Sequence, residues 1–266
     1  MTLRENVAAI LNYRPYEKLP VVSFGYWPET LDKWAAEGHL TKEEAAGYRR
    51  FGDNGDADNS VMKKLGFDFN WNSCAGARVD LFPRFDTEVL EEKPDGSLIL
   101  RDELGLIVLK KPGIICIPSE IGTSLTGRKA WEELYLPKLK WSDDRVDTAA
   151  FEALRDDSAR RIPLGLHCGS LIGTMRNLLG VEQLSYLYCD DEELYVEIID
   201  TLAGLSYRCV KAALETGAKF DYAHYWEDIC FKNGPLVSPA VFEEYVGPHY
   251  RRTTDLLASY GVNIVS

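Results

Sequence analysis

His224, Trp226, Glu227 and Asp228 fall within five residues of one another, in the stretch AKFDYAHYWEDICFKNGPLVSPAVFEEYVGP that runs from 218 to 248. Two adjacent carboxylates can divide general acid and general base work, or one of them can fix a substrate amine. An imidazole beside them can polarise a bond or relay a proton near neutral pH. The plainer alternative is that one carboxylate caps a loop while the other pairs with a base such as Lys232. A second constellation is His167-Cys168. Imidazole, thiolate and carboxylate together would suit zinc. Neighbours on a strand point to opposite faces, however, so the reading preferred here is a satisfied histidine next to a core cysteine. Tyr26, Trp27, Tyr222, Tyr225 and Trp226 supply aromatic surface for a quaternary methylammonium cage or for stacking an aromatic methyl ether. Such rings fill protein cores equally well. His39 and His249 lie on helical or loop stretches and read as surface or packing residues.

These side chains need elements to hold them. Residues 218–225 have the length and aromatic content of a short strand, which puts Phe220, Tyr222, His224 and Trp226 on one face. Ser238-Pro239 then predicts an N-cap and a proline at the first helical position, and Gly261 ends that helix before another strand at 262–265. Strand, polar loop, helix, strand is a βαβ unit, whose ligands sit at the carboxyl ends of the strands. Upstream, the pattern predicts a helix over 3–12, a strand over 19–27, helices over 29–37 and 41–51, and helices over 127–135 and 147–160. It then predicts a strand over 162–168, a helix to 179, and a helix from Asp190-Asp191 to about 216. The second helix of the first pair opens on a capping box, Thr41 with Glu44. The acidic loop with Asp53, Asp56 and Asp58 lacks the glutamate that closes a calcium loop, so it reads as a solvated turn. Between 67 and 111, short alternating segments flank turns at Pro94-Asp95-Gly96 and Glu103-Leu104-Gly105, which predicts an antiparallel meander of about three strands at the edge or mouth of the main sheet.

Thirty Lys and Arg against forty-two Asp and Glu give a net charge of −12. That excludes a general nucleic-acid or anionic-membrane surface. No run reaches the roughly 18 apolar residues of a membrane span, and the N-terminal stretch lacks a signal-peptide core, so a cytoplasmic location is expected. The six cysteines, Cys74, Cys116, Cys168, Cys189, Cys209 and Cys230, are spread without a CxxC, which predicts reduced thiols rather than a zinc ribbon.

With the strand exits placed, WEDICFKNGPLVSPAVFEEYVGPHY resembles the strand-end acidic stretch and following helix of the uroporphyrinogen decarboxylase family. LGLHCGSLIGTMRNLLGVEQLSYLYCDDEELYVEIID resembles a mid-barrel strand of that family with its next helices. The resemblance implies an α/β fold, a single (β/α)8-type TIM barrel over residues 1–266, apparently truncated after about the fifth strand, with the meander inserted at about 67–111. Parallel strands are expected near 21, 68 or 114, 162, 218 and 262, and an uncovered sheet edge invites association, including a homo-oligomer. The true decarboxylases carry arginines just after the first strand for the carboxylates of a tetrapyrrole, whereas SFGYWPETLDKW has none from Ser23 to Trp34. The chain therefore looks more like the family's corrinoid-dependent methyltransferases. The implied reaction moves a methyl group between a small-molecule donor or acceptor and a corrinoid on a partner protein. Asp228 or Glu227 would orient the substrate and His224 would relay a proton. Tyr26, Trp27, Tyr222, Trp226 and His167 would bind the substrate. The family's zinc ligands would lie beyond Ser266. Decarboxylation in porphyrin biosynthesis, and a non-catalytic small-molecule or corrinoid binding module, remain the alternatives.

Overall fold

The computed structural model describes residues 1–51, 55–114 and 117–266. Helix α1 (Leu3–Leu11) opens on a capping box: the Glu5 amide donates to the Thr2 hydroxyl while the Thr2 amide donates to the Glu5 carboxylate. Strand β1 (Val22–Ser23) is only the centre of the run expected over 19–27. Helices α2 (Pro28–Ala36) and α3 (Lys42–Phe51) follow, with the reciprocal Thr41–Glu44 bonds in place at the start of α3.

The acidic stretch after α3 corrects the sequence reading. Asp53 lies outside the described residues, but Asp56 and Asp58 belong to a helix, α4 (Asp56–Leu65), not to a solvated turn. Both stand in its first turn, where the helix dipole favours carboxylates. Asp58 is buried and accepts a hydrogen bond from Asn70 Nδ2 at 3.0 Å.

Strands β2 (Phe69–Asn70) and β3 (Cys74–Gly76) form one nearly continuous edge that faces two ways. β2 pairs parallel with β1, and β3 pairs parallel with β8 (Gly165–His167). Four antiparallel strands come between: β4 (Glu88–Glu92), β5 (Leu98–Arg101), β6 (Leu106–Lys110) and β7 (Ser119–Thr123), in that spatial order. The meander thus has a fourth strand and spans 88–123 rather than 67–111. Its last strand, SEIGT, has no apolar alternation to announce it and is defined by pairing with β6. Both predicted turns are present, with Gly96 at φ 78° and Gly105 at φ 90°. Of the two places offered for the second parallel strand, 68 is correct, and Ile114 is in no strand.

A short helix α5 (Arg128–Ala130) continues through a π turn at Trp131–Tyr135, and α6 (Thr148–Glu152) is much shorter than its predicted span. Helix α7 (Ile172–Asp190) bends at Gly180 (φ 77°). Helix α8 (Glu192–Glu215) starts where Asp191 accepts from the Leu194 amide. Strand β9 (Tyr222–His224) pairs parallel with β8, and the hairpin β10 (Cys230–Phe231) and β11 (Gly234–Pro235) follows. Ser238 caps α9 (Pro239–Val241) as expected, accepting from the Val241 amide at 3.2 Å, and the helix runs on into α10 (Gly247–Ser259). The strand predicted over 262–265 is reduced to one parallel bridge, Val265 to Ala223.

The result is a mixed α/β arrangement in which parallel segments at 22–23, 69–76, 165–167, 222–224 and 265 lie side by side in chain order. The series stays open, and no closed barrel forms among the described residues. No helix among them is long and apolar enough to cross a membrane. Arg4 ties the amino ends of the series together, its Nε 2.7 Å from Asp221 and a terminal nitrogen 2.5 Å from Asp157.

Register sorts the side chains into layers. Cys74, Gly165 and Tyr222 are opposite one another in one layer, and Gly76, His167 and His224 form the layer two residues on. Ala75, Leu166 and Ala223, between them, turn the other way into a core with Val210, Ala213, Leu214 and Leu257 from α8 and α10. In the lower layer the space opposite Gly165 is taken by the Tyr222 ring, which stacks on Trp71 with centroids 4.8 Å apart. A Cβ at Gly165 would stand 2.5 Å from Cys74 Sγ and 2.5 Å from the Tyr222 ring. Gly165→Ala should therefore cost about 1–3 kcal/mol by overpacking. A urea midpoint that moves by no more than a few tenths of a kcal/mol would show that this layer is not tightly filled.

Candidate active site: a cleft with two imidazoles

His167 and His224 occupy matching positions on adjacent parallel strands, so both rings rise on the same side of the sheet, with centroids 6.3 Å apart. They look into a cleft of about 470 Å³ lined also by Asn72, Cys74, Gly76, Ala77 and Trp226. The volume falls within the ordinary range for small-molecule sites. Trp226 stands at the rim, edge-on to His224 at 5.9 Å and to Phe24 at 6.4 Å. Gly76 makes the room. A Cβ there would lie 3.0 Å from the Cβ of His167.

His224 is only 7% exposed. Its Nδ1 is 3.0 Å from Ser266 Oγ, and its Nε2 is buried with no hydrogen-bond partner. Burial lowers its pKa from the ordinary histidine range. His167 is lowered too, first by desolvation and then by the neighbouring His224. Both rings are therefore neutral at physiological pH. The lining holds no Lys, Arg, Asp or Glu.

The two carboxylates have other duties. Glu227 accepts hydrogen bonds from the Ser170 hydroxyl at 2.9 Å, from the amides of Leu171, Ile172 and Gly173 at 2.9, 3.1 and 2.8 Å, and from the Tyr250 hydroxyl. Those amides are the orphan donors at the start of α7, so Glu227 acts as that helix's N-terminal partner from a distant loop. Asp228 is half-exposed and pairs with Arg176 at 2.5 Å rather than with Lys232. One carboxylate capping and one paired was the plainer of the two expectations, and it describes their contacts.

The remaining predicted residues are dispersed. Tyr222 is fully buried beneath the cleft, where its hydroxyl donates to the Trp71 carbonyl at 2.9 Å. Tyr26 packs against Trp34, Tyr48 and Phe67 in a separate cluster beside α2 and α3, because Pro28 starts a helix that draws the chain away from the strand exits. Trp27 is exposed just before α2, outside the cleft lining. Tyr225 turns to the opposite side and meets Tyr250. No aromatic cage is assembled: of these five rings Trp226 alone lines the cleft. Cys168 is buried in the helix-side core, its thiol pushed up to about 12 by burial, so the two members of the His167-Cys168 pair do part company. His249 pairs with Asp200 at 2.9 Å on the surface. Sequence reasoning missed Asn72, Cys74 and Gly76. Their signal is faint, since β2 and β3 are two and three residues long.

A further cleft of about 500 Å³ lies beside α8, lined by Glu192, Glu193, Glu197 and Asp200. Three of these acids are engaged, Glu192 by Tyr245, Glu197 by Arg128 and Trp131, and Asp200 by His249.

No protein-family model matches the chain, and no similar curated protein was found. Among solved structures, the chain is similar to a methyltransferase from Methanosarcina mazei at 16% identity and a TM-score of 0.43, over 100% of this chain and 68% of that one.

Two outcomes follow from these contacts. Glu227→Ala leaves five donors without their acceptor and should lower stability by about 3–5 kcal/mol, with Glu227→Gln costing less because one oxygen survives, both read from urea midpoints. The depressed imidazoles set the sign of a pH effect. As pH falls below the ordinary value near 6.5, the unfolded chain takes up protons that folded His167 and His224 refuse, so stability declines until the folded pKa values are reached. Replacing both rings with Phe should flatten that decline in a series of melts from pH 7.5 to 5.

Proposed function

We propose that the cleft is the small-molecule site of a methyl-transfer enzyme, with His224 as its acid–base group, in a fold that corresponds to part of a (β/α) barrel. The observation that carries the reading is the pair of neutral imidazoles facing a cleft whose lining bears no charged side chain. Such a site favours an uncharged methyl donor or acceptor, such as an aromatic methyl ether or the hydroxyl compound it yields. It disfavours a quaternary ammonium, since only Trp226 is available to face a cation. It also disfavours uroporphyrinogen, whose many carboxylates need several cations. Arg176, on α7, is held by Asp228.

A corrinoid on a partner protein would supply or accept the methyl group. A cleft of about 470 Å³ is of drug size, so a macrocycle stays outside it and meets the substrate at the open rim beside Trp226 and Phe24. In this reading His224, whose side chain lines the cleft, would take the proton of an attacking hydroxyl or return one to a departing alkoxide. Glu227 serves as a positioning residue, since it holds the start of α7, which follows directly on β8 and His167. Among the described residues no group of three or more His, Cys, Asp or Glu is disposed to hold a metal, so no step is assigned to zinc.

The test is incubation of the protein with methylcobalamin and a panel of neutral hydroxyl and thiol acceptors, followed through the corrinoid absorbance. Acceptor-dependent demethylation is expected, with a rate about 10²–10⁴-fold lower in His224→Phe. An unchanged spectrum with every acceptor, from protein that still binds them, would leave a binding module in place of an enzyme.

A further inference from the structure

Phe24 stands one residue after β1, the first of the parallel segments, and Trp226 stands two residues after β9, the fourth, with β2, β3 and β8 between them. Their rings nevertheless meet edge to face, with centroids 6.4 Å apart. The open series therefore curls far enough for its first and fourth members to touch through side chains beyond the strand ends. Phe24 meets the cleft lining a second time through its backbone, since its carbonyl accepts from Asn72 Nδ2 at 3.2 Å. Asn72 lies on the β2 side of the cleft and Trp226 on the β9 side, so Phe24 spans the mouth from one to the other.

The backbones under these two rings are held. The Ser23 carbonyl accepts from the Trp71 amide at 2.9 Å, and the Trp226 amide donates to the Gly169 carbonyl at 3.3 Å. The rings themselves are 56% and 48% exposed, so they can swing without disturbing a packed core. Motion at the mouth is thus confined to side-chain rotation, which is fast for exposed residues. The two imidazoles beneath differ in what they offer. His224 has Nδ1 against Ser266 and Nε2 buried. His167 makes no hydrogen bond to another described residue, and neither of its ring nitrogens is among the buried polar atoms without a partner, so both open on the cleft. His167 is the imidazole that an incoming molecule can reach.

We infer that Phe24 and Trp226 form a movable aromatic cover over the cleft, which a ligand must part to reach His167, and that Phe24 is therefore a further residue of the ligand site. The inference rests on the reading of this cleft as the small-molecule site and adds the contribution of the first strand to it. Tyr26 and Trp27 were the aromatics expected there, and Phe24 takes that place at the mouth.

Diethyl pyrocarbonate reports the cover directly, since an unprotonated imidazole takes up its ethoxycarbonyl group and releases ethanol and carbon dioxide. The rate at each histidine of the whole protein is followed by peptide mass spectrometry at pH 7. His167 should react in the wild type, and Phe24→Ala should raise its rate by about two- to tenfold, the factor that one aromatic pair contributes to a closed arrangement. His39 and His249, on the surface, should keep their rates, and His224 should stay unmodified, which shows that the variant is folded. Trp226→Ala should also speed His167, and in that background Phe24→Ala should add nothing, because the pair is already broken. The inference is overturned by a His167 rate indifferent to Phe24, by a Phe24 effect that persists without Trp226, or by a His167 that never reacts. None of these rates requires turnover. A rate that depends on the pair in a protein without methyl transfer removes the enzyme reading alone, and methyl transfer in a protein whose His167 ignores Phe24 removes the cover alone.

Discussion

The parallel register of β3, β8 and β9 is the constraint on which the rest of the molecule depends. Because side chains alternate with a period of two, one pairing places Gly76, His167 and His224 over the cleft and Ala75, Leu166 and Ala223 against the helices. A slip of one residue would drive two imidazoles into an apolar core and lift Leu166 and Ala223 into the cleft. Burial therefore fixes the register, and the register fixes the site. The core behind the strands, filled by Val210, Ala213, Leu214 and Leu257, locks the geometry of the imidazole pair.

Electrostatics divides the labour between the layers of this arrangement. The chain is strongly acidic, yet the two carboxylates that follow Trp226 are engaged elsewhere, Glu227 by the amides of α7 and Asp228 by Arg176. Both oxygens of Glu227 are occupied by five donors around the start of α7, which leaves it badly disposed to accept a proton from a ligand in the cleft. Neutral imidazoles are left to do whatever proton transfer occurs. Adjacent Glu and Asp at a strand end look like a catalytic dyad, but local backbone donors compete for such groups, and here the donors at the start of α7 hold one of them.

How far the sequence could be read depended on whether local or distant atoms set each feature. Helix α1, read from its amphipathic pattern, and the capped helices α3 with Thr41 and Glu44 and α8 with Asp191, were visible because the signal and the structure share the same few residues. The opposite faces of His167 and Cys168 were visible for the same reason. Strand β3 was not, since its partner β8 lies far along the chain, β2 was offered only as one of two places, and β7 lacks apolar alternation and is defined by its pairing with β6. Helix α4 was hidden by an acidic composition that looks like a turn until Asp58 finds Asn70. Tyr26 and Trp27 were expected at the cleft because they end a strand, but beside the helix opened by Pro28 Tyr26 joins a separate cluster and Trp27 is exposed outside the cleft lining. Strand-end position brought His224 and Trp226 to the cleft and failed for Tyr26, which shows that the following element matters as much as the strand.

The cleft's polarity follows from what burial permits. Desolvation penalises a charged group far more than a neutral polar one, so a histidine pushed under the surface stays neutral and still offers a donor or an acceptor. The His224 ring, with its centroid 6.3 Å away, adds to the cost of protonating His167, whereas for His224 the cost is burial. Desolvation outweighs the opposing pull of Asp80 on His167, so its pKa is still lowered. Anions gain no attraction in such a cleft and lose their hydration, and cations meet only one aromatic face. On the reading proposed for this cleft, a preference for uncharged ligands would follow from a lining without charged side chains.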